Sequence, residues 1–180
     1  LLLGHEGAGV VAEVGAGVTG CNVGDHVVLS FAPACGICTY CKAKLPQFCT
    51  VGGPHGRMLD GTAPMHDKTG ADLRVMQFLG CMAEQVIVPA ISACVIDKSI
   101  PLDKAALVGC GVMTGVGAAI NTAKVTPGSS VAVFGCGGVG LSIIQGARLA
   151  GAAKIIAVDI ADKKLEMARH FGATHTVNGS

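Results

Sequence analysis

The 180-residue sequence has no tryptophan, one tyrosine and five phenylalanines, and only 14% of its residues are charged. A formal net charge of +1 and so few rings supply neither the basic face nor the stacking platforms that nucleic-acid binding needs. Sparse charge beside 51% hydrophobic residues excludes a disordered chain. The 27 glycines follow no triplet period, which excludes a collagen-like one. Nor is any run of about 20 residues dominated by Leu, Ile, Val and Phe, the composition of a membrane span. Residues 105–123 and 125–147 are uncharged, but the first holds four glycines and the second is broken by Thr126-Pro127-Gly128-Ser129-Ser130. Buried parallel strands and their glycine turns have that same texture, so no membrane partner is expected. The initiator methionine is also missing, and the chain stops at Ser180 just after the start of a strand. Those ends are the pattern expected of an internal piece of a longer protein, with any signal peptide upstream.

What is present divides near residue 112. Before it the sequence reads as short β segments, Val10–Val14, His26–Leu29, Gln85–Val88 and Ala93–Ile96, separated by glycines. Between them lie a cysteine-rich lobe over 33–50 and a long loop over 52–80, unusual in length and so either functional or an interface element. After Pro101, which fits a helix start, the pattern becomes strand Ser129–Phe134, helix Val139–Ala150, strand Lys154–Asp159 and helix Asp162–Phe171. Strand–helix alternation with short links predicts a parallel sheet with right-handed crossovers.

Nine cysteines are far more than chance supplies, and four of them form C-x2-C-x2-C-x7-C at Cys35, Cys38, Cys41 and Cys49. Four thiolates in one compact loop suit a closed tetrahedral zinc, and metal binding would stabilise a loop with almost no core of its own. A disulfide framework or an iron–sulfur site is the alternative, but a disulfide scaffold is small and cysteine-dense throughout. Cys21, Cys81, Cys94 and Cys136 read as small buried hydrophobes.

Three further features carry chemistry. Gly4-His5-Glu6 opens a G-H-E-x2-G-x5-G-x2-V pattern, where a carboxylate directly after the imidazole weighs against a plain core histidine. Cys110 lies between Gly109 and Gly111 just before the change of texture, free to approach a cleft closely. Gly135-Cys136-Gly137-Gly138-Val139-Gly140 follows a strand, opens a helix, and is succeeded by a second strand ending in Asp159, 19 residues after Gly140. That is the full context of a dinucleotide-binding turn. Backbone N–H groups at the helix start would cradle a pyrophosphate. Asp159 would accept the adenosine ribose hydroxyls and repel a 2′-phosphate, which favours NAD over NADP.

Together, in this order, these motifs resemble the zinc-containing alcohol dehydrogenases of the medium-chain dehydrogenase/reductase family, over essentially the whole chain. The 52–80 loop and Gln145–Gly151 look closest to the class III and related bacterial members. The resemblance implies an α/β fold with a β-rich part: a GroES-like catalytic domain over 1–111 lacking its N-terminal part, then a truncated Rossmann domain over 112–180. It implies one structural zinc on the four lobe cysteines and one catalytic zinc per full-length subunit. His5 and Cys110 would be two ligands of the catalytic zinc, completing the two-cysteine, one-histidine set known for alcohol dehydrogenases with a residue upstream of Leu1. Glu6 would be a carboxylate close to that metal, Thr114 would lie beside the nicotinamide and Val139 behind its ring. Lys164 would help to hold the adenosine ribose or stand as a solvated helix lysine. The implied reaction is NAD-linked hydride transfer between an alcohol and an aldehyde or ketone, in a cytoplasmic homodimer or homotetramer. The alternatives are oxidation of a thiol–formaldehyde adduct and a non-catalytic zinc scaffold of the same fold. The 180 residues alone are expected to be inactive and prone to aggregate, because the strand at 130–134 leaves an apolar edge.

Overall fold

A computed structural model describes residues 1–50, 56–58 and 60–180; residues 52–55 and 59 of the loop expected over 52–80 lie outside it. The chain divides into two compact units, Leu1–Cys110 and Gly111–Ser180.

In the first unit β1 (Ala8–Val10), β2 (His26–Leu29) and β5 (Ala93–Ile96) form an antiparallel sheet with β2 in the middle. Alternation along β2 buries Val27 and Leu29, which pack with Leu79 and are joined by Val11, Phe31, Cys81, Val86 and Val88. A second short ribbon, β3 (Met65–His66) with β4 (Asp72–Leu73), lies within the segment expected to be loop. The lobe carries one helical turn, α1 (Thr39–Lys42).

Two strand assignments need correction. The expected strand Val10–Val14 ends at Val10. Val11 still donates its N–H to Asp25 and accepts one from Gly24, but the Asn22–Asp25 turn leaves no partner backbone farther along. Gln85–Val88 is not a strand. Its burial alternates, with Val86 and Val88 packed inward and Ile87 60% exposed, yet no neighbour supplies a hydrogen-bonded ladder among the described residues. Cys94 also departs from expectation, standing exposed on β5; Cys21 and Cys81 are half-buried and only Cys136 is fully buried.

The helix expected after Pro101 begins with α2 (Leu102–Leu107), and helical residues continue through a π-helical turn (Val108–Val112), α3 (Met113–Gly117) and a second π-helical turn (Ala118–Thr122). By length and composition alone this 21-residue run could cross a membrane. Its small residues nevertheless serve contacts with protein. Gly109 meets Leu29 within the first unit, and Gly115 meets Val139 and Ser142 within the second.

The second unit is a parallel sheet in the order β6-β7-β8, with β6 (Ser130–Phe134), β7 (Lys154–Asp159) and β8 (His175–Asn178). α4 (Gly138–Leu149) and α5 (Asp162–Phe171) are its crossovers. β7 is buried at alternate positions, Ile155, Ala157 and Asp159, and its core extends through Val133, Ile144, Ala147, Leu165 and Ala168. Full burial of Ile144 and Ile155 contributes about 1.5–3 kcal/mol each. β7 and α5 coincide with the sequence expectation, because both carry clean periodicity between clear turn signals. Gly172 closes α5 at φ 115°, the left-handed conformation in which helices commonly terminate.

Candidate metal and nucleotide sites

The four lobe cysteines converge. α1 holds Cys41, a short 3-10 turn (Pro46–Phe48) delivers Cys49, and Gly36 at φ 75° reverses the chain between Cys35 and Cys38. Their sulfurs all lie within 4.8 Å of one another, with Cys38 Sγ 4.0 Å from Cys49 Sγ. Sulfurs sharing one tetrahedral zinc stand about 3.8 Å apart, so the cluster fits that ion with little movement. None of the nine cysteines is joined in a disulfide, which leaves the four lobe sulfurs available to a metal. Backbone N–H groups of Cys41 and Thr50 pull the Cys38 thiol down to about 6. Desolvation, helped by neighbouring sulfurs, pushes Cys41 up to about 12. Such a set favours a cation that compensates four thiolates at once.

A second pair of donors meets in the same unit. His5 Nε2 is 3.2 Å from Cys110 Sγ although the residues are 105 positions apart. Two such ligands on one tetrahedral zinc are about 3.5 Å apart. The His5 ring also meets Phe31 edge-on, with centroids 5.5 Å apart and planes at 87°. Glu6 follows His5 directly. The pair offers a metal two donors and would need others to complete its shell.

In the second unit the glycine turn lies between β6 and α4. Gly140 packs so tightly that a Cβ there would stand 1.9 Å from the Gly135 carbonyl oxygen. Gly140→Ala is therefore expected to cost at least about 3 kcal/mol and to abolish nucleotide binding, checked by thermal melting and NAD titration of the full-length protein. Asp159, 8% exposed, is tied to the turn: its Oδ2 accepts the Cys136 N–H at 2.7 Å and its Oδ1 the Ala161 N–H at 3.0 Å. The N–H groups of Cys136 and Ala161, with the positive charge of nearby Lys164, hold the Asp159 carboxyl below the usual range. A depressed carboxyl stabilises the fold above its unfolded pKa, and that contribution disappears as pH falls through the folded value. Lys164 Nζ lies 3.8 Å from Asp159 Oδ2. Thr114 is on α3 beside Gly115, whose missing side chain admits the Val139 carbonyl and Ser142 at the start of α4. Val139 is 42% exposed.

The alcohol dehydrogenase GroES-like domain family matches residues 1–98, and the zinc-binding dehydrogenase family matches residues 138–180. The chain belongs to the zinc-containing alcohol dehydrogenases. S-(hydroxymethyl)glutathione dehydrogenase of Saccharomyces cerevisiae is 48% identical over 98% of this chain and 47% of its own length. Alcohol dehydrogenase class-3 of Caenorhabditis elegans is 44% identical over 99% of this chain and 47% of its own. Among solved structures, an alcohol dehydrogenase zinc-binding domain protein from Burkholderia ambifaria superposes with TM-score 0.90 at 40% identity, covering 98% of this chain and 49% of that one. Benzyl alcohol dehydrogenase of Acinetobacter calcoaceticus gives 0.82 at 37%, covering 98% and 48%. The chain thus spans about half the length of the curated relatives it matches. As a zinc-containing alcohol dehydrogenase chain it combines part of a GroES-like fold with part of a Rossmann fold.

Sequence reasoning missed the part played by Leu29. Its N–H donates to the Gly7 carbonyl and its own carbonyl abuts Gly109. It also missed the Cys136 N–H to Asp159 bond. Neither a main-chain donor nor a main-chain acceptor leaves a mark in residue types.

Proposed function

We propose that this chain forms the metal- and nucleotide-binding part of an enzyme that interconverts an alcohol and an aldehyde or ketone with NAD. The observation that carries the proposal is the meeting of His5 Nε2 and Cys110 Sγ at 3.2 Å, two donors of the required kinds brought together from opposite ends of the first unit. His5 and Cys110 would hold the catalytic zinc, with Glu6 beside it. Cys35, Cys38, Cys41 and Cys49 would hold the structural one. When bound, zinc lowers the pKa of a hydroxyl or polarises a carbonyl, and the nicotinamide accepts or returns a hydride. Backbone N–H groups of the Gly135–Gly140 turn would receive the diphosphate, with Gly137 and Gly138 offering the nearest approach. Asp159 keeps a further lone pair on each oxygen for the ribose hydroxyls, and Lys164 would brace the same ribose. Thr114 and Val139 would border the nicotinamide. The domain extents fitting these roles are 1–111 and 112–180, in a cytoplasmic homodimer or homotetramer that acts on small molecules without membrane or nucleic acid.

A second reading, a thiol–formaldehyde adduct as substrate, is favoured by the 48% identity to an S-(hydroxymethyl)glutathione dehydrogenase. Profiling alcohols with the full-length protein and NAD, with and without glutathione, tests both. Oxidation of simple alcohols alone supports the first reading, and formaldehyde oxidation that requires glutathione supports the second. If neither occurs and zinc is confined to the lobe, the chain is a scaffold. Asp159→Ser is expected to raise the NADP/NAD ratio of kcat/KM at least about tenfold, because a carboxylate no longer opposes the 2′-phosphate.

A further inference from the structure

His5 and Cys110 lie far apart in sequence, so something must set their 3.2 Å approach. The end of β2 touches both segments. The Leu29 N–H donates to the Gly7 carbonyl at 2.8 Å, two residues after His5. The Leu29 carbonyl oxygen stands only 2.6 Å from where a Cβ on Gly109 would lie, one residue before Cys110. Leu29 is 6% exposed and Gly109 is buried. Gly109 has no left-handed backbone, and its conformation would admit any residue. Space alone demands glycine there. It lies in the π-helical turn Val108–Val112, and such wide turns recur at functional sites. Two residues beyond Leu29, the Phe31 ring meets that of His5 in a T-shaped contact.

We infer that Gly109 is a positioning residue: its lack of a side chain lets the π-helical turn close on the Leu29 carbonyl and seats the Cys110 sulfur against the His5 imidazole, whose plane Phe31 fixes. This rests on the reading of His5 and Cys110 as metal ligands. A methyl at Gly109 would push the turn back by several tenths of an ångström before ordinary contact is restored. Metal–ligand distances hold to about 0.2 Å, so the displacement exceeds what the site tolerates. The carbonyl cannot yield in its place, since the Leu29 backbone is fixed in β2 and by its bond to Gly7.

The test uses the full-length protein with cobalt(II) placed at the His5–Cys110 site and zinc kept in the lobe. Gly109→Ala is expected to weaken cobalt binding, measured by chelator competition, by about 10- to 100-fold. It should also change the visible cobalt absorption, while lobe zinc and NAD affinity stay at parental values. Phe31→Leu is expected to alter the cobalt spectrum with a smaller loss of affinity. Parental affinity and spectrum in Gly109→Ala would overturn the inference. Should that variant fail to fold, Phe31→Leu decides by the same readings. His5→Ala separates the two levels. If it keeps the second metal, the ligand reading fails and the inference with it. If it loses that metal while Gly109→Ala remains parental, only the positioning role fails.

Discussion

His5→Ala in the full-length protein should lower alcohol turnover by roughly 10³-fold or more and remove one zinc per subunit, leaving the lobe zinc and NAD affinity intact. The size follows from what is lost. A Lewis acid stabilises transition-state charge by several kcal/mol, and each factor of ten in rate corresponds to about 1.4 kcal/mol. The selectivity follows from the fold. His5 meets Cys110, whereas the four lobe sulfurs form their own cluster within 4.8 Å of one another. Steady-state kinetics with metal analysis of the same preparation checks both halves. Turnover at the parental rate would remove His5 from the metal.

Cys38→Ser should act through stability. Apparent binding free energies of structural zinc are about 10–16 kcal/mol in small metal-folded domains. The lobe has little else to hold it, since no residue of α1 or of the Pro46–Phe48 turn is buried. Loss of one thiolate is expected to release the lobe zinc, expose residues 33–50 to protease, and lower the melting temperature. Dialysis of the parent protein against a strong chelator should reproduce all three. Acid should do so as well. Within the coupled set Cys38 is lowered to about 6 and Cys41 is raised to about 12, so the four sulfurs together must surrender protons when metal binds at neutral pH. Zinc affinity should therefore rise with pH across the neutral range and fall steeply once pH drops below about 6. Competition with a chromophoric chelator at several pH values measures this. A pH-independent affinity would contradict the four-thiolate set.

Much of the second unit could be read directly. β7 and α5 fall where periodicity placed them, because Lys154–Asp159 and Asp162–Phe171 combine regular burial with sharp ends. The first unit was harder. Gln85–Val88 has the residue types of a strand, but residue types do not tell whether a neighbouring backbone exists. Val11–Val14 carries strand residues past the point where the β1–β2 ladder runs out. Of the sites, the four cysteines and the glycine turn were legible because their spacing is local. The pairing of His5 with Cys110 came only through family resemblance, and the junction at Leu29 through neither route. A contact between a carbonyl and an absent side chain can be seen only in three dimensions.

The bond from the Cys136 amide to Asp159 has a practical bearing on engineering. On the proposed reading that aspartate would be the target for retuning coenzyme choice, yet its carboxylate also accepts the Cys136 N–H and so buttresses the glycine turn. A replacement that merely deletes the anion leaves an amide donor orphaned in a buried position, which costs about 1–3 kcal/mol. Libraries at this codon should keep a short acceptor such as serine or asparagine. Alanine and glycine variants would show weaker affinity for both coenzymes, and that loss could easily be mistaken for failed discrimination.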